Sequence, residues 1–400
     1  MSAATIAPAR AATGNAWSTA LTASAATCFA VATVYMTQPV FPEVAADLRV
    51  PAPDVRFAFT VASFAYALSF FLFGPLTDRI SGRAMASGGA AAVAALAAAA
   101  AFAPGFAVLA ALLAAAGVAA AAVPAATIAL MPKLAPPGLT GTFFGLMIGA
   151  SVAGIALGRS LTGVIAEAAD WRVAFGTLAA LNLLSALGLL ALLPRTDPGS
   201  AGRGPVRDAY AAALSLFRQA AVVRLLAVGT ALFFGYLGVA TMLTYRLQEA
   251  PFHYSAGAIG AVSLLGLVGV LGAPAAGRLT ALTAARTVVL IGLALVLAGV
   301  ALLGLAGGPV ALAAGMLLLF LGVFSCQPAV LVMLAAEAGP ERRGSASSLY
   351  MLVCLLAGSV ASAAFGPLWT GGGWAAVAWT GAGAVALAAA LAAIGPRNPA

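Results

Sequence analysis

The ten residues Gly74-Pro75-Leu76-Thr77-Asp78-Arg79-Ile80-Ser81-Gly82-Arg83 gather one carboxylate, two guanidiniums and two glycines between apolar runs at 57–73 and 84–103. Charges are costly to hold between two lipid-length segments, so such a cluster marks a position with a task. A carboxylate such as Asp78 is suited to the positive end of a helix, where the dipole favours it by about 0.3–1 kcal/mol at an exposed site. Arg79 and Arg83 supply charges of the opposite sign, and Gly74 and Gly82 let backbones approach closely. The chemistry on offer is charge–charge and charge–dipole contact at a polar hinge.

A second concentration surrounds Arg159. The run Gly145, Gly149, Gly154, Gly158, Arg159, Gly163 is a glycine-lined helical segment, the small-residue spacing that permits tight helix contact. Arg159 lies about 27 Å along that helix from position 141, in the outer part of the span. A charge inside an apolar helix faces protein or a wet cavity and is a functional hypothesis by default. Three roles follow: contact with an anionic or carboxylate-bearing substrate, pairing with Glu167 two turns on, or snorkelling outward. Acids are placed differently. Glu43, Asp47, Asp54, Glu167, Asp170 and Glu249 cluster toward one side, while Asp78, Asp197, Asp208, Glu337 and Glu341 lie toward the other, and none sits mid-span.

Polar and aromatic side chains that could line a mixed apolar cavity are Tyr35, Gln38, Tyr236, Gln327 and Tyr350. Tyr245, Tyr254 and Trp374 stand near segment ends and read as interfacial belt residues. Cys28, Cys326 and Cys354 sit in apolar runs without metal-ligand spacing, and the lone His253 reads as an ordinary loop residue, so no metal site is expected.

The elements that must position these groups follow from composition. Hydrophobic residues make up 63% of the 400-residue chain and charged residues 8%, with a mean hydropathy of +1.07. A water-soluble protein of this length could not cover itself, so the chain reads as an all-α polytopic membrane protein. Twelve spans are expected near 17–37, 57–77, 84–103, 106–130, 141–165, 172–193, 222–245, 255–277, 286–306, 309–334, 344–367 and 374–394. The first is expected to be a retained helix and not a cleaved signal. With the N-terminus inside, fourteen basic residues fall on the cytoplasmic side and four (Arg49, Arg56, Arg172, Arg246) outside, which puts both termini in the cytoplasm. The net charge of +8 is thereby a topology device and calls for no nucleic acid.

The segment 194–220 reads as a cytoplasmic linker between six-helix halves at 1–193 and 221–400. Weak repetition supports this. The stretch 73–79 has a counterpart at 272–278, with Gly277 in place of Asp78, and 131–141 is echoed by 334–344.

The pattern G-x-L-x-D-R-x-x-G-R over Gly74 to Arg83 resembles the cytoplasmic helix 2–3 signature of the major facilitator superfamily, with Gly82-Arg83 one residue later than in its commonest form. The resemblance implies two pseudo-symmetric six-helix bundles working by alternating access. It also implies that Asp78 faces the start of the eleventh span near 344–348, latching the cytoplasmic side and favouring the outward-open state. The glycine-rich fifth span is similar to that of the superfamily's drug and metabolite exporters. Gly158-Arg159, followed by Trp171-Arg172-x-x-Phe175 and preceded by Thr37-Gln38-Pro39-x-x-Pro42, resembles a bacterial drug/sugar, arabinose-efflux-like branch. Two departures stand out: Leu113 and Ala116 replace the Arg and Gln that the exporters carry before Gly117, and no embedded acid is present.

The expected function is secondary active export of small amphipathic compounds or metabolites across the bacterial inner membrane by proton antiport. An organic-anion uptake or facilitative carrier is the alternative, and a sensor or scramblase on the same scaffold a third. No enzyme is expected, since neither a nucleotide loop nor a catalytic triad is present. The expected partners are a small-molecule substrate and lipid, with the protein a monomer, no cofactor, and the proton gradient as energy source.

Overall fold

The computed structural model describes residues 7–136, 140–194, 206–339 and 342–394. All regular structure there is helical: α1 (Ala7–Tyr35), α2 (Phe41–Leu48), α3 (Ala52–Phe73), α4 (Gly82–Ala101), α5 (Phe106–Leu134), α6 (Thr140–Ala168) and α7 (Trp171–Leu192) come first. Then follow α8 (Val206–Ser215), α9 (Ala220–Gln248), α10 (Ala256–Ser263), α11 (Val268–Leu282), α12 (Ala285–Leu305), α13 (Pro309–Ala338) and α14 (Arg343–Ala393). Ten helices among the described residues are long and apolar enough to cross a membrane. In that setting the helix is the natural choice, because each satisfies its own backbone polar groups.

Several boundaries correct the sequence reading. α3 ends at Phe73 and passes through a 3₁₀ turn at Gly74–Asp78, whereas the second span was expected to run to 77. Pro75 has no N–H to continue the α-helical ladder, so the chain tightens there. The expected eighth span, 255–277, is broken by a 3₁₀ segment, Leu264–Leu267, between α10 and α11. Here Gly266 and Gly269 press against the rings of Phe320 and Phe324 on α13; a Cβ at Gly269 would lie 2.1 Å from Phe324 Cδ2. Spans eleven and twelve meet within the interval expected between them, 368–373: α14 is two helices joined across a kink, the first of them continuing past Pro367. The break is Gly373 (φ 60°, ψ −157°), a conformation open in practice to glycine alone.

Packing follows chain neighbours and two long-range partnerships. α1 packs on α5, α6 and α7, α4 on α5 and α7, α12 on α13, and α9 on α14. Beyond these, α3 lies along α14, and α6 lies along α10. α8 follows the undescribed part of the expected linker. It docks on α14 and holds the end of α3 through the Tyr210 hydroxyl, which donates to the Leu72 carbonyl at 2.5 Å.

Candidate functional site

The long-range seams place the site. Along α3 and α14 three paired positions descend in antiparallel register without slip. Arg56 lies against Gly366, Thr60 Oγ1 donates to Ser362 Oγ at 3.0 Å, and the Ser63 and Ser359 hydroxyls share a bond of 2.9 Å. At the far end Gly74 meets Ser348 Oγ at an ordinary contact distance, 3.5 Å from its would-be Cβ. Small residues and hydroxyls allow this approach in an apolar setting, and each hydroxyl finds a partner across the seam. The sequence reading missed this ladder. Its signal was a hydroxyl pair three apart in each helix, Thr60/Ser63 and Ser359/Ser362.

The second seam, α6 against α10 and α11, is built on glycine. A Cβ at Gly163 would sit 2.4 Å from the Ala256 carbonyl oxygen, and one at Gly260 would sit 2.9 Å from the Ser160 carbonyl oxygen. Gly154 and Gly158 serve α1 instead, lying against the carbonyls of Cys28 and Ala32, where a Cβ would come within 2.5 Å and 2.4 Å. Gly149 is different: its nearest neighbour, Val270 Cγ1, would be 3.6 Å away, an ordinary contact. Three of the four expected packing glycines are thus tight, and Gly149 is not.

Between the seams, and at their tighter end, lies Arg159. It is 5% exposed, which removes the snorkelling role. Its Nε donates to Gln38 Oε1 at 2.5 Å, and Gln38 Nε2 donates in turn to Thr241 Oγ1 at 3.0 Å. That chain of bonds runs from α6 through the turn after α1 to α9. The guanidinium also stands over the Tyr35 ring, 5.5 Å from its centroid, close enough for a cation–π attraction. No carboxylate pairs with Arg159 among the described residues. Glu167, the expected partner, is exposed, and its carboxylate instead covers Gly257 on α10.

Two polar atoms here are buried without a hydrogen-bond partner: Arg159 Nη2 and the Tyr236 hydroxyl oxygen. The two groups face each other, the Tyr236 hydroxyl lying within electrostatic and hydrogen-bonding reach of the guanidinium though not in the geometry of a full hydrogen bond. Tyr236 is wedged edge-on to Phe320 at 5.9 Å between centroids, so its position is set by packing. Beside Arg159 opens a narrow cleft whose enclosed volume is about 20 Å³, room for about one water in this conformation. Apolar side chains such as Leu243, Ile259, Met316 and Phe320 line it, with the hydroxyls of Thr244 and Ser263. The arrangement is a positive, hydrogen-bonding corner in an otherwise apolar chamber.

Four of the expected cavity residues therefore come together: Arg159, Tyr35, Gln38 and Tyr236. The other two lie elsewhere. Gln327 Nε2 contacts Met351 Sδ at 3.3 Å, and Tyr350 is fully buried against Gly229 and Cys354. Tyr245, expected in an interfacial belt, is buried; it stacks on Phe41 at 5.6 Å and lies tilted against Trp369 at 6.2 Å. Its ring closes the seam between α2 and α14, which is why it does not face outward.

At the hinge, Gly82 packs on Leu130, where a Cβ would lie 3.1 Å from Cδ2. Arg79 and Arg83 are half-buried. The Asp78 side chain lies outside the described residues, as do those of Lys133, Arg278 and Arg343 and the segments 137–139 and 340–341 of the internal echo. At the opposite end Arg172 pairs with Asp47 at 2.7 Å and donates to the carbonyls of Ala101 and Ala103, tying α2, α4 and α7 together. Trp171 Nε1 also donates to Asp47, at 3.2 Å. No group of three His, Cys, Asp or Glu side chains that could hold a metal occurs among the described residues.

Comparison with known proteins adds three findings. Residues 23–362 match the Major Facilitator Superfamily. The chain is 29% identical over 371 residues to the uncharacterized transporter YgaY of Escherichia coli O157:H7, covering 90% of this chain and 91% of that protein. Among solved structures, a point mutant of the nucleoside transporter NupG superposes with a TM-score of 0.74 at 16% identity, covering 94% of this chain and 99% of that one. A point mutant of the peptide transporter POT in complex with alafosfalin gives 0.73 at 15% identity, over 94% and 93% of the two chains. At those identities the likeness is one of fold.

Proposed function

This chain belongs to the Major Facilitator Superfamily, and from that premise we propose that it exports small amphipathic compounds by alternating access. Residues 1–193 and 221–400 act as the two moving halves, with 194–220 as their linker. Counting α14 as two crossings and α10 with α11 as one makes twelve spans. The excess of basic residues at the Asp78 end supports placing that end, and both termini, in the cytoplasm, with a bacterial inner membrane as the setting we propose. The protein works as a monomer in lipid, without a cofactor, and belongs to the arabinose-efflux-like branch.

The observation that carries this reading is the geometry of the two antiparallel seams. Beside the second of them lies a cavity whose wall takes Pro39 and Arg159 from the first half and Thr244, Ser263 and Phe320, on α9, α10 and α13, from the second. A chamber walled by both halves is what rocking of one half against the other would expose to each side in turn. Proton antiport is the coupling we assign, the sequence offering no nucleotide-binding loop through which ATP could drive export. Inverted vesicles from cells producing the protein test it. An amphipathic fluorescent dye should accumulate faster than in control vesicles, and collapsing the pH difference should abolish the excess. Accumulation unaffected by that collapse would refute proton antiport. The same result would favour the second reading, a facilitative or uptake carrier for organic anions, to which the uncompensated Arg159 lends weight.

A further inference from the structure

We propose that Arg159 and Tyr236 form a head-group site for an organic monocarboxylate, assembled by side chains from both halves of the protein. The inference rests on the transporter reading and names the substrate class of its chamber. Three observations carry it. Arg159 is 5% exposed, and no acid compensates its charge among the described residues. Its Nη2 is buried with no partner, and so is the hydroxyl of Tyr236, itself 1% exposed. The guanidinium is held from behind, because Nε is committed to Gln38 and Gln38 is committed to Thr241.

The guanidinium and the phenol are within reach of each other, yet a contact between them leaves the buried charge and the Tyr236 O–H donor unmatched, which is costly unless an anion satisfies both. A carboxylate does so with the right charge and valence: one oxygen accepts from Arg159 Nη2, the other from the Tyr236 O–H. A neutral hydroxyl would leave the charge uncompensated. An ammonium group would meet a like charge in a site that water barely reaches. The cleft that Arg159 lines would take the rest of the ligand. Leu243, Leu247, Ile259, Val262 and Met316 offer apolar surface for a tail.

The two donors stand on α6 and α9, in opposite halves. The carboxylate would therefore bridge the halves at the same end that Gln38 and Thr241 bridge, so that end must loosen before the head group is released there. Anion binding and closure of that end are one event in this arrangement.

Three probes with one tail separate head-group chemistry from greasiness: 4-phenylbutyrate, 4-phenylbutanol and 4-phenylbutylamine. Binding to the purified, detergent-solubilised protein would be measured by microscale thermophoresis and by thermal shift. The expected result is saturable binding of 4-phenylbutyrate alone, in the millimolar range or tighter. Arg159→Gln should weaken it roughly tenfold or more, the worth of a charge-assisted bond. Tyr236→Phe, which keeps the ring packing and removes only the hydroxyl, should weaken it several-fold. Monodispersity and helical content check that both variants fold, and Tyr236→Phe decides if Arg159→Gln does not. Equal binding of the alcohol or the amine, no binding of the acid, or an acid affinity unchanged in the folded variants would overturn the proposal. Binding needs no translocation. Anion binding without movement across proteoliposomes would count against the transport reading and leave the site standing.

Discussion

At the scale of single residues, glycine spacing and one arginine divide into what spacing alone reveals and what it hides. Gly149, Gly154, Gly158 and Gly163 look alike in the sequence, yet only the last three meet another backbone. Gly158→Ala should therefore force α1 and α6 apart and lower stability by about 1–3 kcal/mol, the usual range for overpacking. Gly149→Ala should be close to neutral. Thermal unfolding of the two variants in the same detergent checks the contrast, and equal losses would show that helix propensity and not packing dominates. Arg159 stood out because a charge in an apolar helix has no cheap place to go. Its partner did not, because Gln38 is 121 positions away and nothing local in the sequence joins them. The Glu167 pairing was attractive for the opposite reason: it is near in sequence, but the last turns of α6 carry that carboxylate out onto Gly257.

Among the helices, the membrane-crossing segments were readable from length and hydropathy, since lipid allows few alternatives to an apolar helix of sufficient length. Their interruptions were readable only in part. The 3₁₀ segment between α10 and α11 lies where glycines let Phe320 and Phe324 of a different helix come close, and the kink of α14 falls at Gly373, past Pro367. The hydroxyl ladder between α3 and α14 is the clearest case of a feature present in the sequence but mute without its partner. A double-mutant cycle of Thr60→Val and Ser362→Ala should give a coupling of about 0.6 kcal/mol, the scale of interhelical hydrogen bonds within membranes. Additive losses in a reversible unfolding assay would mean that the two hydroxyls are satisfied within their own helices and contribute nothing across the seam.

For the molecule as a whole, the two seams are not equally tight from end to end. Near Arg56 and Gly163 a methyl group would collide with Arg56 or with backbone, whereas near Gly74 and Gly149 it would meet only ordinary contacts. The structure is thus more firmly closed at the end opposite Asp78, and an exchange of tightness between ends is the motion that transport requires. The role we propose for Asp78, at the looser end, is to steady the alternative arrangement. Asp78→Asn should reduce turnover in reconstituted vesicles while leaving ligand affinity within a few-fold of wild type; a parallel loss of both would make Asp78 a folding residue.

Distances across the two ends, measured together, test the central claim of reciprocal closure most directly. The three native cysteines, all buried, would first be replaced. Spin labels at the exposed positions Ala169 and Ala250 then report one end, and labels at Ala84 and Ala284 report the other. Double electron–electron resonance in lipid nanodiscs, repeated across pH and with 4-phenylbutyrate, should give two populations for each pair, with one end lengthening as the other shortens. Single distances at both ends that stay fixed under every condition would contradict alternating access in this protein.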